Sequence, residues 1–254
     1  MHNKLIKTIT ASAIAASLLG GCATQANKDP LEGLNRGIYK FNDTVDKAAL
    51  KPIAGAYKAV IPSTLRSGVN NFFSNLGDVV TVINDVLQFK FDKAMDDAGR
   101  VAINTTFGIG GIFDWASMDG IEKRNEDFGQ TLAYWGWEES SYLVLPFLGP
   151  STLRDTGGLI VDTAFFDPIT YIEGPSDRNQ LRLTKFIDKR AQYLPGSDLL
   201  DEAALDPYVF MRDAYFQRRN NLTHDGDVPE SEKIKEESDA DDLPGAQVAE
   251  AASK

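Results

Sequence analysis

The chain has 254 residues, 10% of them aromatic, and its 37 acidic against 26 basic side chains leave a net charge of −11. That length fills one good-sized domain or two small ones, and the absence of a basic patch excludes nucleic acid as a partner. With one cysteine and two histidines, His2 at the start and His224 where the chain turns polar, no Ser-His-Asp triad, Cys-His pair or histidine metal site can be built in the body, so no catalytic residue, metal or cofactor is expected.

Residues 1–21 read as an export signal. Lys4 and Lys7 precede a short apolar stretch from Ile9 to Leu19, and Gly20-Gly21 lead to Cys22. The apolar stretch is too short to cross a bilayer, which takes ~20 residues. An apolar residue, two small residues and a cysteine resemble the lipobox of bacterial lipoproteins, which makes Cys22 the expected site of lipidation and 22–30 a lipid-anchored tether. A lone exported cysteine can form no internal disulfide, which agrees with acylation. Ala23, where an aspartate is absent, favours the outer membrane by resemblance to a sorting pattern.

Leu31, Leu34, Ile38, Phe41 and Val45 recur at helical spacing, which predicts an amphipathic helix that Pro52 stops or kinks. Pro62 opens a second helix carrying Leu65, Val69, Phe72, Phe73 and Leu76, and Val79 to Leu87 gives a third, shorter one. A fourth runs from Phe91 towards Phe107 and ends at Gly108. The segment Gly108 to Trp115 is expected to be a tight inter-helix turn packed by Phe113 and Trp115; without a Lys-Ser/Thr pair it is not a phosphate loop. Asp127 and Gln130 form a capping-box-like helix start. Trp135, Gly136 and Trp137 concentrate aromatics around one glycine, and the stretch from Tyr134 through the polar 138–141 to Leu148 reads as a hairpin-like excursion ending in a buried extended segment, Tyr142 to Leu148. The aromatics suit either a packed core or a membrane–water interface. Thr152 caps another helix, broken at Asp167-Pro168; a further one spans about 176–194; Asp206-Pro207 opens the last. The tail, 223–254, is acidic and expected to be disordered, ten acidic residues facing three basic ones from Asp225 onward. The body, 31–222, is thus expected to be all-α, with no single-pass transmembrane helix.

Four segments then fall into one pattern: Asp29 to Arg36 with Tyr39-Lys-Phe-Asn42, Asn104 to Asp114, Leu145 to Asp155, and Asp206 to Arg218. In this order they resemble the MlaA/VacJ family of outer-membrane lipoproteins. The resemblance implies amphipathic helices forming a ring-like body that lies in the periplasm-facing leaflet of the outer membrane, bound to trimeric porins. Such a body would remove phospholipids mislocalised in the outer leaflet and pass them to a periplasmic carrier protein. It maps a flexible loop beside the lipid passage onto Trp135, Gly136 and Trp137, with Phe41 and Asn42 of the first helix near it. A structural porin-associated lipoprotein without transport activity is the alternative, and a periplasm-facing lipid hydrolase is a third class, which the missing histidines disfavour except in a Ser-Lys form.

Overall fold

The computed structural model describes residues 28–137 and 140–230, without the side chains of 198–203. The expected signal, Cys22, most of the tether, Glu138, Glu139 and the tail from 231 lie outside the described residues.

The chain is mostly helical. Helix α1 (Glu32–Val45) passes through a π-helical turn, Asp46–Leu50, into α2 (Lys51–Val60), so Pro52 does not end the helix. The regular ladder is already interrupted just ahead of it, and there the missing N–H costs little. Helix α3 (Ser63–Leu87) is one unbroken helix where the sequence predicts two. Gly77 at the expected join costs a helix only about 1 kcal/mol, and the next residue, Asp78, is fully buried against Lys123 and Arg100. Helix α4 (Phe91–Thr106) follows as expected. The turn after it leads to the short α5 (Trp115–Met118), but Phe113 and Trp115 do not pack it from within: both face outward. Helix α6 (Phe128–Tyr134) starts on Asp127, whose side chain accepts from the Gln130 amide.

Strands β1 (Tyr142–Leu145) and β2 (Gly149–Thr152) form an antiparallel hairpin, pairing Tyr142 with Thr152 and Leu145 with Gly149. Thr152 then caps α7 (Leu153–Val161), which runs into a second π-turn, Asp162–Phe166, and a 3-10 turn, Pro168–Tyr171. Helix α8 (Pro175–Ala203) is longer than the sequence reading at both ends and carries Pro195 inside it. Ser197 donates to the Leu194 carbonyl (3.0 Å) and accepts from Arg190 (3.2 Å), which stitches the turn around that proline. Helix α9 (Pro207–Thr223) begins on Asp206, whose carboxylate accepts from the Tyr208 and Val209 amides.

Each π-turn opens with an aspartate that reaches a distant element. Asp46 takes both arms of Arg190 on α8, at 2.6 and 2.7 Å. Asp162 accepts from Asn84 on α3 (3.1 Å) and from the Phe128 amide (2.9 Å). The packing partners close a circuit: α1 meets β1, β2 meets α9, α9 meets α6, α6 meets α3, α3 meets α8, and α8 meets α2, which continues back to α1. Apolar cores are small. One joins Tyr142, Val144 and Tyr208; the other joins Ala54, Ala191 and Leu194. No helix among the described residues is long and apolar enough to cross a membrane.

Candidate functional site

Helix α3 shows how the interior is built. Its buried residues from Asn75 onward are Asn75, Asp78, Thr81, Asn84 and Asp85, and Gln88 continues the series just past the helix end. These spacings of three and four put one polar stripe on one face. Helix α4 answers with Asp97, Arg100 and Asn104 beside a single buried alanine, Ala94. Where a water-soluble helix pair would meet through leucines, these two meet through amides, carboxylates and a guanidinium.

Buried polar groups are costly unless partnered, and three networks partner them. Arg100 donates to Asp114 (3.2 Å), to Ser117 (3.2 Å) and to the Ile121 carbonyl, while Asn104 holds Asp114 (2.9 Å) and the Ala116 amide (2.9 Å). Burial lowers the Lys123 ammonium to about 8 although it contacts Asp78. In the second network Arg219 of α9 grips Asp127 through two nitrogens (2.5 and 2.6 Å) and Asp155 (2.8 Å), which also accepts from Arg154 and Tyr215. Burial alone would raise both carboxyls, but Arg219 and these donors hold them below their ordinary range. Here α6 and α7 touch backbone to backbone: a β-carbon on Gly158 would stand 2.3 Å from the Gly129 nitrogen. Only glycine permits that approach.

The third network is short of hydrogen. Asp85 and Asp97 are fully buried across the α3–α4 seam, and both Asp85 oxygens and Asp97 Oδ1 lack a donor among the described residues. Burial, then the hydrogen bond to Asp97 and the charge of Glu126, push the Asp85 carboxyl up to about 7. A proton held on Asp85 would supply the missing donor between the two carboxyls, while Arg124 holds the other Asp97 oxygen at 3.1 Å. Gln88 ties Glu126 (2.9 Å) to Thr131 (3.2 Å), and Thr131 donates to Asn84 (2.8 Å), linking α3 to α6.

The outside is the reverse of the inside. Among the described residues twenty-two polar or charged side chains are buried against ten hydrophobic ones, while twenty-eight large hydrophobic residues are exposed. Met95 is 77% exposed, Met118 74% and Phe107 70%, with Phe89, Phe91, Ile109 and Phe113 in the same stretch of chain. The apolar stripe of α1 behaves likewise: Leu34 and Phe41 face out, and Asn35 beside them is fully buried. This exchange of sides is what sequence periodicity missed. The spacing of the apolar residues locates the faces of a helix, but it does not say which face has protein behind it. The polar residues at 75, 78, 81, 85 and 88 carried the missing signal.

The residues singled out in the sequence fall at two places. Asn42 donates to the Leu145 carbonyl (2.9 Å) and accepts from the Phe147 amide (2.8 Å), and Phe41 packs edge-on against Phe147 at 5.4 Å. Asn35, two turns earlier, does the same to the strand itself, donating to the Tyr142 carbonyl (3.1 Å) and accepting from the Val144 amide (2.9 Å). Two asparagines seven residues apart thus complete the free edge of β1 with side-chain amides. Trp135, Gly136 and Trp137 lie elsewhere, at the end of α6. The Trp137 amide donates to Leu132 O and the Gly136 amide to Ala133 O, a glycine-terminated helix end in which Gly136 takes φ +102°. Trp135 donates from its indole to the Leu87 carbonyl (3.1 Å), and Arg154 holds the Trp137 carbonyl (3.1 Å). Cys22 lies outside the described residues.

A family model described as MlaA lipoprotein matches residues 27–222. The intermembrane phospholipid transport system lipoprotein MlaA of Escherichia coli K12 is 34% identical over 244 residues, covering 92% of this chain and 96% of the relative. The Haemophilus influenzae protein of the same name is also 34% identical, over 89% and 94% of the two chains. A solved structure described as the structural basis for maintenance of bacterial outer membrane lipid asymmetry superposes with a TM-score of 0.68 at 34% identity, covering 77% of this chain and 98% of that one.

Proposed function

The chain belongs to the MlaA lipoprotein family, and on that premise we propose that it withdraws mislocalised phospholipids from the outer leaflet of the outer membrane and passes them to a periplasmic carrier. The direction is retrograde: lipid leaves the outer membrane, and its asymmetry is maintained. Relatives named as intermembrane phospholipid transport lipoproteins support the substrate and a place in the cell envelope.

The observation that carries the reading is the reversal of inside and outside. Apolar side chains such as Met95, Phe107 and Met118 face outward in a chain whose interior is a set of hydrogen-bonded polar networks. Monomeric water-soluble proteins keep large apolar patches small, whereas helices lying in one leaflet need an apolar outer surface. The lipid anchor on Cys22 holds the body in the periplasm-facing leaflet. The closed circuit of packed elements supports a ring-like body, and a ring with polar lining gives a headgroup a path while acyl chains stay in apolar surroundings. No covalent step is needed, so the role is non-enzymatic. Trimeric porins are the partners that position the ring. The helix end at Trp135, Gly136 and Trp137 is the movable element beside the passage, and Phe41 and Asn42 set the hairpin next to it.

The test is the amount of phospholipid in the outer leaflet, read with a surface-accessible headgroup label. Deleting the protein raises that signal; the wild-type chain lowers it again, and Cys22→Ser does not. A deletion strain with an unchanged signal, in cells without another removal route, contradicts the transport role and leaves a purely structural lipoprotein.

A further inference from the structure

A pocket of about 350 Å³ opens where α2, the start of α3 and α8 come together, lined among others by Lys58, Ser63, Arg66, Asn70, Asp188 and Gln192. Its size is that of a site for a small polar group. Neither Lys58 nor Arg66 is paired with a carboxylate among the described residues. Arg66 uses one nitrogen on the Lys58 and Ile61 carbonyls and keeps its other donors. Asp188, nearly fully buried, takes only neutral donors, the Tyr57 hydroxyl at 2.9 Å and the Gln192 amide at 2.7 Å. The pocket therefore holds two cations and one carboxylate, none of them neutralised by a direct ion pair, in a chain of net charge −11.

We propose that this pocket binds the head of a zwitterionic phospholipid, with the phosphate at Lys58 and Arg66 and the amine at Asp188. The proposal rests on the transport reading and adds to it a station and a headgroup preference. Phosphate oxygens gain charge-assisted bonds from the two cations, and the start of α3 beside them adds the positive end of a 25-residue helix. A headgroup lacking an amine leaves Asp188 without a cationic partner on the lipid and places a second anion in its pocket, and that repulsion disfavours it. An inorganic phosphate ion meets the same repulsion.

The test uses the full-length lipidated protein in nanodiscs and three soluble probes: glycerophosphoethanolamine, glycerophosphoglycerol and inorganic phosphate, titrated calorimetrically. The wild type binds glycerophosphoethanolamine at least tenfold more tightly than the other two. Lys58→Gln, a change in the last turn of α2, weakens that binding by tenfold or more, while Asp188→Asn removes the preference between the two glycerophosphodiesters. Thermal unfolding of each variant confirms that it is folded, and Lys58→Gln alone decides the matter if Asp188→Asn is not. Three results overturn the proposal: no binding of any probe, equal binding of the two diesters by the wild type, or no effect of Lys58→Gln. Inorganic phosphate binding as tightly as glycerophosphoethanolamine also overturns it and assigns the pocket to free phosphate. Any of these, found with a deletion strain that still accumulates outer-leaflet phospholipid, removes the pocket and leaves the transport reading standing.

Discussion

Asn35 and Asn42 act as surrogate strand residues. An amide side chain carries a donor and an acceptor, and each of these two spends both on the unpaired edge of the hairpin, so α1 fixes the register of a strand it is not part of. Removing one partner of such a bond costs about 1 kcal/mol, and more when the abandoned group is shielded from water. Asn42→Ala is therefore expected to lower stability by about 1–2 kcal/mol and to speed hydrogen exchange at the Phe147 amide, while leaving the Val144 amide, held by Asn35, protected. Exchange that is equal in variant and wild type at Phe147 removes Asn42 from this role. The sequence placed Asn42 on the correct helix and in a family motif, but its bonding reaches across 103 residues, and no local pattern encodes that distance. Gly136 was legible as a special residue. What makes it special is an ordinary helix end with a positive φ, a detail that depends on where α6 stops.

At the scale of elements, capping chemistry was the most legible signal. Asp127, Thr152 and Asp206 each accept amide hydrogens at the helix starts expected of them, because capping is local and needs no tertiary partner. Helix breaks were less legible: Gly77, Pro52 and Pro195 all lie inside continuous helical runs, where buried polar partners or a π-turn offset the local penalty. The α3–α4 seam also has a pH dependence with a definite sign. Asp85 binds its proton more tightly in the fold than in the unfolded chain, so its contribution is complete below pH ~4 and is lost as pH rises through about 7. Around it lie Asp97 of α4, Glu126 of the loop before α6 and Lys90, which precedes the first residue of α4. Lys90 also pairs with Glu126 and Asp225. Asp85→Asn supplies a permanent donor to Asp97, and it is expected to raise the melting temperature by several degrees at pH 8 and by little at pH 5. The opposite carboxyls, Asp127 and Asp155, are held low by Arg219, so their contribution is lost as pH falls below the ordinary carboxyl range. An Asp85→Asn chain with the same melting temperature as wild type at pH 8 refutes the shared proton.

At the scale of the molecule, the helical class and the absence of a spanning helix among the described residues were legible in composition and periodicity, and the order of motifs pointed to the family. The side that faces out did not follow from them. Burial in an ordinary fold is driven by the transfer of apolar surface out of water; in lipid that drive between helices is absent, and polar contacts hold the elements together instead. We propose that the twenty-two buried polar residues and the apolar exterior of the described residues have this origin, with that exterior lying in a bilayer. Cys22 is the only cysteine, and with its thiol taken up by the proposed lipidation, a cysteine introduced at Met95, Phe107 or Met118 is the sole free thiol for a spin label. The decisive measurement is the collision accessibility of that label, in the lipidated protein in nanodiscs, to oxygen and to a water-soluble nickel chelate. The account expects all three positions to favour oxygen, as sites within the hydrocarbon do. Labels that collide freely with the nickel chelate at all three positions place this surface in water and contradict it.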